Sequence, residues 1–201
     1  MWHNEDMPDD NEARLVHRAR RGDRDAIATL YQQHVQAIFR YICYRVPDHA
    51  AADDLTAEVF LRMVEGLPQY QANGAPFEAW LYRIAAARVA DFYRAQHRHP
   101  EEALSDSEPD RTVSPESGLQ DAEEQDELRA ALRQLSAEQQ DILLLRFVER
   151  KSHTEVAAIL GKSVTAIKSA QHRALSRLAE LLGSNGKARH YLRGTDEQHG
   201  R

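Results

Sequence analysis

The chain has 201 residues, of which 42% are hydrophobic and 29% charged, with a formal net charge of −6 and one cysteine. That length accommodates two small cores; a lone cysteine excludes intramolecular disulfides, and no apolar run approaches the roughly 20 residues that span a bilayer. The start, Met1-Trp2-His3-Asn4-Glu5-Asp6, lacks the basic and apolar stretches of a secretory signal, so a cytoplasmic protein without membrane insertion is expected.

The charge is unevenly placed. Residues 1–12 hold five acids and no bases, and residues 100–127 hold eleven acids against Arg111 alone. By contrast, residues 13–99 carry a net +3 and residues 128–182 a net +4. Two basic units flanked by acidic segments can each face nucleic acid despite the overall sign.

From Ala13 to His97 apolar residues recur every three or four positions, which predicts helices. Four are expected. The first runs from about Ala13 to Arg21 and stops at Gly22, and Asp23 caps the second, whose stripe is Ile27, Leu30, Tyr31, Val35, Ile38, Phe39 and Ile42. Cys43, among Tyr41, Ile42, Tyr44 and Val46, reads as a small buried hydrophobe. Pro47-Asp48 ends that helix, and a third from about His49 to Leu67 buries Leu55, Val59 and Met63 while presenting Asp53, Asp54, Glu58 and Arg62. Pro68 to Pro76 must be a loop. The fourth helix begins near Phe77 and continues to about Gln96. Tyr70, Gln71 and Asn73 in the loop, with Trp80, Arg83 and Arg88 beyond it, mix aromatics, an amide pair and cations. Opened single-stranded DNA takes that mixture: bases stack on rings, amides read edges and arginines meet phosphates. Phe77 and Trp80 are also core candidates.

Residues Arg98 to about Gln120 combine proline, serine and acids with almost nothing apolar, and so read as a flexible acidic linker. Periodicity returns at Leu128, Ala131, Leu132 and Leu135; Ser136-Ala137-Glu138-Gln139 is then a capping box opening the helix of Ile142, Leu143, Leu145 and Phe147. The strongest local pattern runs from Ser152 to Lys168. Ser152 with Glu155 forms another capping box, Ala157 is small where helices cross, Gly161 supplies a turn and Ser163 caps the next helix. The pattern predicts a helix-turn-helix, held by Val156, Leu160, Val164 and Ile167, whose second helix can enter a major groove, with a plain helical hairpin as the alternative. Lys162, Thr165, Lys168, Ser169, His172, Arg173 and Arg177 are the candidate DNA contacts.

No serine, histidine and carboxylate set has catalytic spacing, no glycine loop cradles phosphate, and His97-Arg98-His99 lies in a segment unsuited to a metal. No enzyme activity, metal or cofactor is expected.

Leu135-Ser136 through Leu145-Arg146-Phe147, and on to Ala166-Ile167-Lys168-Ser169 and His172-Arg173-Ala174, resembles the promoter-recognition domain of bacterial sigma factors. Arg21-Gly22-Asp23, Ala52-Asp53-Asp54-Leu55-Thr56-Ala57-Glu58-Val59-Phe60-Leu61-Arg62 and Phe77-Glu78-Ala79-Trp80-Leu81-Tyr82-Arg83-Ile84-Ala85 resemble their second conserved region. With only these two regions, the chain is similar to the extracytoplasmic-function (ECF) class. The resemblance implies an all-α fold with a four-helix domain at 13–98 and a helix-turn-helix domain at 127–183. An acidic extension at 1–12, a linker at 99–126 and a polar tail at 184–201 complete the chain. It further implies that Asp53, Asp54, Glu58 and Arg62 dock on a coiled coil of the RNA polymerase largest subunit. Tyr70, Gln71, Asn73, Trp80, Arg83 and Arg88 would meet the opened minus-ten element, the last helix would meet the minus-thirty-five element, and an anti-sigma factor would be a further partner. Three positions depart from the family pattern: Arg150 stands where glycine is usual, Ala57 where glutamine is frequent and Ala87 where asparagine is frequent. The alternative reading is a helix-turn-helix regulator that binds duplex DNA without polymerase.

Overall fold

A computed structural model describes residues 8–72, 74–98 and 119–183. The described residues form two helical units and contain no strand. In the first, α1 (Pro8–Ala19), α2 (Arg24–Cys43), α3 (His49–Gly66) and α4 (Phe77–Arg98) pack around Leu30, Ile38, Ile42, Val59, Met63 and Leu81, all fully buried. In the second, α5 (Leu119–Arg133), α6 (Ala137–Leu143), a π-helical turn (Leu144–Val148), α7 (His153–Leu160) and α8 (Val164–Leu181) surround Ile142, Leu144, Leu145 and Ile167.

The caps fall where the sequence puts them. The Asp23 carboxylate accepts the Asp25 and Ala26 amides at 3.0 and 3.2 Å, and Gly22 turns the chain before it at φ +84°. Ser136 with Gln139, and Ser152 with Glu155, close both arms of their capping boxes. Two ends lie elsewhere than expected. α1 starts at Pro8 rather than Ala13 and yields to a turn after Ala19; proline is the residue type a first helical position favours. α5 starts at Leu119, inside the segment read as linker through residue 126, because glutamate, glutamine and alanine are good helix formers although nothing in them signals burial. The remaining linker residues, like the two chain ends, lie outside the described residues.

The α2 stripe is also rotated from the expected one. Tyr41 is buried, while Tyr31 is 45% exposed. Cys43 is half-buried, and that burial pushes its thiol up to about 11, leaving it an unreactive hydrophobe.

Arg150 adopts a left-handed backbone at φ +53°, alone among described non-glycine residues. It follows the π-helical turn, where the Glu149 amide bonds Leu144 O at 3.0 Å and the Lys151 amide bonds Leu145 O at 2.9 Å, forcing the reversal. A Cβ in that region costs about 1 kcal/mol. Arg150→Gly is therefore expected to stabilise the protein by about 0.5–1 kcal/mol, read as a rise in melting temperature; an unchanged or lower melting point would contradict it.

Candidate nucleic-acid interface and docking face

α7 and α8 meet at the turn 161–163. Gly161 is left-handed at φ +65°, the Lys162 amide bonds Ala157 O at 2.9 Å, and the Ser163 hydroxyl accepts the Ala166 amide at 3.2 Å. Val156 and Ile167 are fully buried between the helices and Ala157 permits their close crossing, with Leu160 and Val164 half-buried beside them. Behind the pair, Arg146 Nε and His153 Nε2 converge on Gln171 Oε1 at 3.2 and 3.0 Å. Burial, with the nearby Arg146 charge, holds the His153 imidazole below its ordinary value, so it is neutral at pH 7.

This support leaves Thr165, Lys168, Ser169, His172, Arg173 and Arg177 exposed along α8, at helical spacing that gathers the first five on one side. Two of the expected cations are partly spoken for. Lys162 pairs with Glu138 at 3.0 Å and Arg177 with Glu180 at 2.8 Å, whereas Lys168 and Arg173 have no acidic partner among the described residues. The cations without an acidic partner therefore stand at the centre of this exposed side of α8.

At the far end of the first unit, Tyr70 packs on Phe77 and Trp80, with ring centroids 5.3 and 4.7 Å away. Phe77 is core, whereas Trp80 is half-buried. Between these rings and α1 lies a cleft of about 270 Å³, bounded by Val16, His17, Arg20, Tyr70, Pro76 and Phe77. Its lining joins the Tyr70 and Phe77 rings with His17, Arg20 and the Glu12 carboxylate. Glu12 and His34, 3.0 Å apart, fasten α1 to α2 beside it. Gln71 and Arg83 are exposed, and Asn73 lies outside the described residues.

Arg88 does not join this group. Its guanidinium bonds Glu58 Oε1 at 2.9 Å and also pairs with Asp91, which places it beside the α3 face. The spacing carried this signal, since eight residues at about 3.6 per turn leave Arg88 about 80° round the axis of α4 from Trp80.

Gly66 is a site residue that sequence reasoning missed. A Cβ there would lie 2.8 Å from Trp80 Cζ2, so the end of α3 must be glycine for the indole to lie against it. Gly66→Ala in a Trp2→Phe background is expected to displace Trp80, costing about 1–3 kcal/mol in overpacking and shifting the tryptophan emission. Unaltered emission and stability would contradict the contact.

On α3, Asp53, Asp54 and Arg62 are exposed and Glu58 is half-exposed, with Arg62 bridging Glu65 at 3.0 Å. The exposed large apolar side chains among the described residues, Tyr31, Leu61 and Val64, all lie on or beside this helix. Leu61 is 57% exposed. A groove between α2 and α3, lined by Ile27, Tyr31, Phe60, Met63 and Val64, continues the patch. Contiguous exposed apolar surface rimmed by charge marks a protein-binding face. The sequence did carry the signal: Leu61 and Val64 share the helical face of Asp54 and Glu58.

Residues 30–99 match the family model for Sigma-70 region 2, and residues 125–178 match that for Sigma-70, region 4. The ECF RNA polymerase sigma factor BldN of Streptomyces coelicolor is 37% identical over 192 residues, spanning 92% of this chain and 72% of that protein. This chain belongs to the ECF sigma factors. The ECF RNA polymerase sigma factor SigD of Mycobacterium tuberculosis is 36% identical over 182 residues, spanning 86% of this chain and 84% of its own. The fold is that of CnrH in complex with the cytosolic domain of CnrY, with a TM-score of 0.61 at 23% identity over 87% of this chain and 98% of that one. It is also that of RpoE in complex with the anti-sigma factor NepR from Bartonella quintana, with a TM-score of 0.58 at 22% identity over 79% and 97% of the respective chains.

Proposed function

We propose that this ECF sigma factor directs core RNA polymerase to specific promoters by three separate surfaces. The α3 face of Asp53, Asp54, Glu58 and Arg62, widened by Leu61 and Val64, docks on the coiled coil of the polymerase largest subunit. Charged rims around apolar centres give such a surface both steering and affinity. Glu58 is held there by Arg88, which positions the carboxylate instead of contacting DNA. The cleft beside Tyr70 and Phe77 takes an unstacked base of the minus-ten element, and Gln71, Asn73, Trp80 and Arg83 are the further contacts proposed for that strand. The exposed side of α8 reads the minus-thirty-five duplex, with Lys168 and Arg173 as its principal contacts.

The observation that supports this reading is the coexistence, in one short chain, of an exposed acidic and apolar surface on α3, a cleft beside Tyr70 and an exposed cationic side of α8 that share no residue. A self-sufficient duplex binder needs only α8 and leaves the α3 patch without a purpose. The protein performs no bond chemistry of its own; it fixes where the polymerase starts. It works in the cytoplasm, where core and promoter are, and among the described residues no helix is long and apolar enough to cross a membrane. The shared fold with RpoE, solved with the anti-sigma factor NepR, supports a further partner, an anti-sigma factor. Reconstituted transcription tests the reading: core supplemented with this chain initiates at defined start sites on cognate promoter fragments, and core alone does not. Equal initiation without the chain would defeat it.

A further inference from the structure

The cleft beside Tyr70 has a second wall, which neither the loop nor α4 supplies. Glu12, Val16, His17 and Arg20 line it from one side of α1 and its last turn. Arg20 continues the helical pattern, its amide bonding Val16 O at 3.0 Å. At about 1.5 Å per residue, the eight residues from Glu12 to Arg20 set an acid and a cation roughly 12 Å apart along the cleft. Across from them stands Tyr70, whose ring is braced edge-on against Phe77 at 81° and tilted on Trp80 at 40°.

The Glu12 carboxylate is fixed as well as placed. Its Oε1 meets His34 Nε2 at 3.0 Å, and the His34 ring lies 5.7 Å from that of Phe77, so the acid is tied to the aromatic cluster that closes the cleft. The His34 side chain is 12% exposed and that of Glu12 26%, which leaves the carboxylate reachable while its partner is covered. No described residue bonds Oε2, so that oxygen keeps its accepting capacity. The charge is felt across the cleft: burial first, and then the Glu12 carboxylate, raise the Tyr70 phenol above its ordinary value, with Arg83 acting the other way. At the other end His17 and Arg20 are exposed. Arg20 has no acidic partner among the described residues, whereas its neighbour Arg18 pairs with Asp23 at 2.7 Å.

An acceptor at one end, a ring in the middle and a cation at the other match the parts of one nucleotide in order: a base edge that donates, a face that stacks and a phosphate. A carboxylate accepts from the amino group of a base such as cytosine. Adenine and guanine carry such a group too. Thymine has none, and its one ring N–H lies between two carbonyl oxygens that a carboxylate repels. We propose that α1 reads the base in this cleft: Glu12 accepts the exocyclic amino group of the unstacked base, and Arg20, with His17 beside it, meets the phosphate of the same nucleotide. The cleft therefore takes cytosine, adenine or guanine and rejects thymine. The same carboxylate repels phosphate, which fixes the direction in which the nucleotide enters. This role for α1 rests on the function proposed above and adds to it a class of base and the residues that select it.

Two full-length variants test it on a cognate promoter fragment whose minus-ten positions are randomised. Heparin-resistant complexes with core are isolated and their DNA sequenced. The unaltered chain is expected to deplete thymine at one position by roughly fivefold or more, the worth of one good base contact. Glu12→Gln keeps a partner for His34 and can donate or accept at the base, so the depletion at that position is expected to vanish while the other positions keep their preferences and circular dichroism shows unchanged helical content. Arg20→Met is expected to weaken complex formation on all four bases alike and to reduce the salt slope by roughly 0.7 unit, as for one lost contact to a single strand. Thymine tolerated at every position by the unaltered chain, or a base profile that Glu12→Gln leaves unchanged, would overturn the role of Glu12. A salt slope that Arg20→Met leaves unchanged would overturn the phosphate contact. If the unaltered chain forms no complex with core on the parent promoter, the proposed function itself fails, whereas complexes with an unselective cleft defeat the role of α1 alone.

Discussion

Reversing Asp54 and Glu58 together to lysine is expected to abolish co-purification with core RNA polymerase while leaving helical content intact. Asp54 is exposed and Glu58 pairs at the surface with Arg88, so neither supports the four-helix core. Removing a surface pair of this kind costs the fold about 0–1 kcal/mol, and Arg88 keeps Asp91 as a partner. Across the docking interface the same change sets like charges against a basic partner, at a cost of several kcal/mol. The effect on binding should therefore exceed the effect on stability by an order of magnitude or more in equilibrium terms. Gel filtration with core measures the first and circular dichroism the second. A double reversal that still co-elutes with core would remove α3 from the interface.

Replacing Lys168 and Arg173 with alanine is expected to weaken promoter binding by the core complex by about 1–3 kcal/mol for each side chain truncated. Both side chains are exposed and free of acidic partners among the described residues, so no internal pairing offsets the effect. Truncating Lys162 or Arg177 should cost less, because Glu138 and Glu180 already compete for their charge. The salt dependence distinguishes two roles: removing a cation that meets a phosphate flattens the salt slope by about one unit, whereas removing one that meets a base edge relaxes sequence preference at one position. Unchanged footprints over the upstream element would refute the placement of α8.

Much of this molecule is legible in its sequence wherever the signal is local. The caps at Asp23, Ser136, Ser152 and Ser163 and the turn at Gly161 depend on residues within a few positions of one another, and all form as expected. So does the helix-turn-helix, with Thr165, Lys168, Ser169, His172 and Arg173 exposed on one side of its second helix. Reading fails where a residue answers to a distant partner. Arg45 looks like ordinary surface charge and is buried, and Asp141 is partly covered, because the two pair with each other across the units. Ile142 to Leu145 form an unbroken buried run, which amphipathic periodicity on one unit does not explain; α6 and its π-helical turn are enclosed on one side by α8 and on the other by the end of α2. Gly66 gives no warning, since its role is set by an indole fourteen residues away. Arg88, at the right composition but the wrong angle on α4, pairs with Glu58 of α3 and does not line the cleft.

The dependence of promoter recognition on core polymerase is tested most directly by a mobility shift on duplex promoter DNA at fixed moderate salt, with the full-length chain alone, core alone and the two combined. The account predicts a promoter-specific complex, with reactive unpaired bases at the minus-ten element, only in the combined sample. A complex formed by the chain alone with the same affinity and sequence preference would contradict it and identify a regulator that binds duplex DNA unaided.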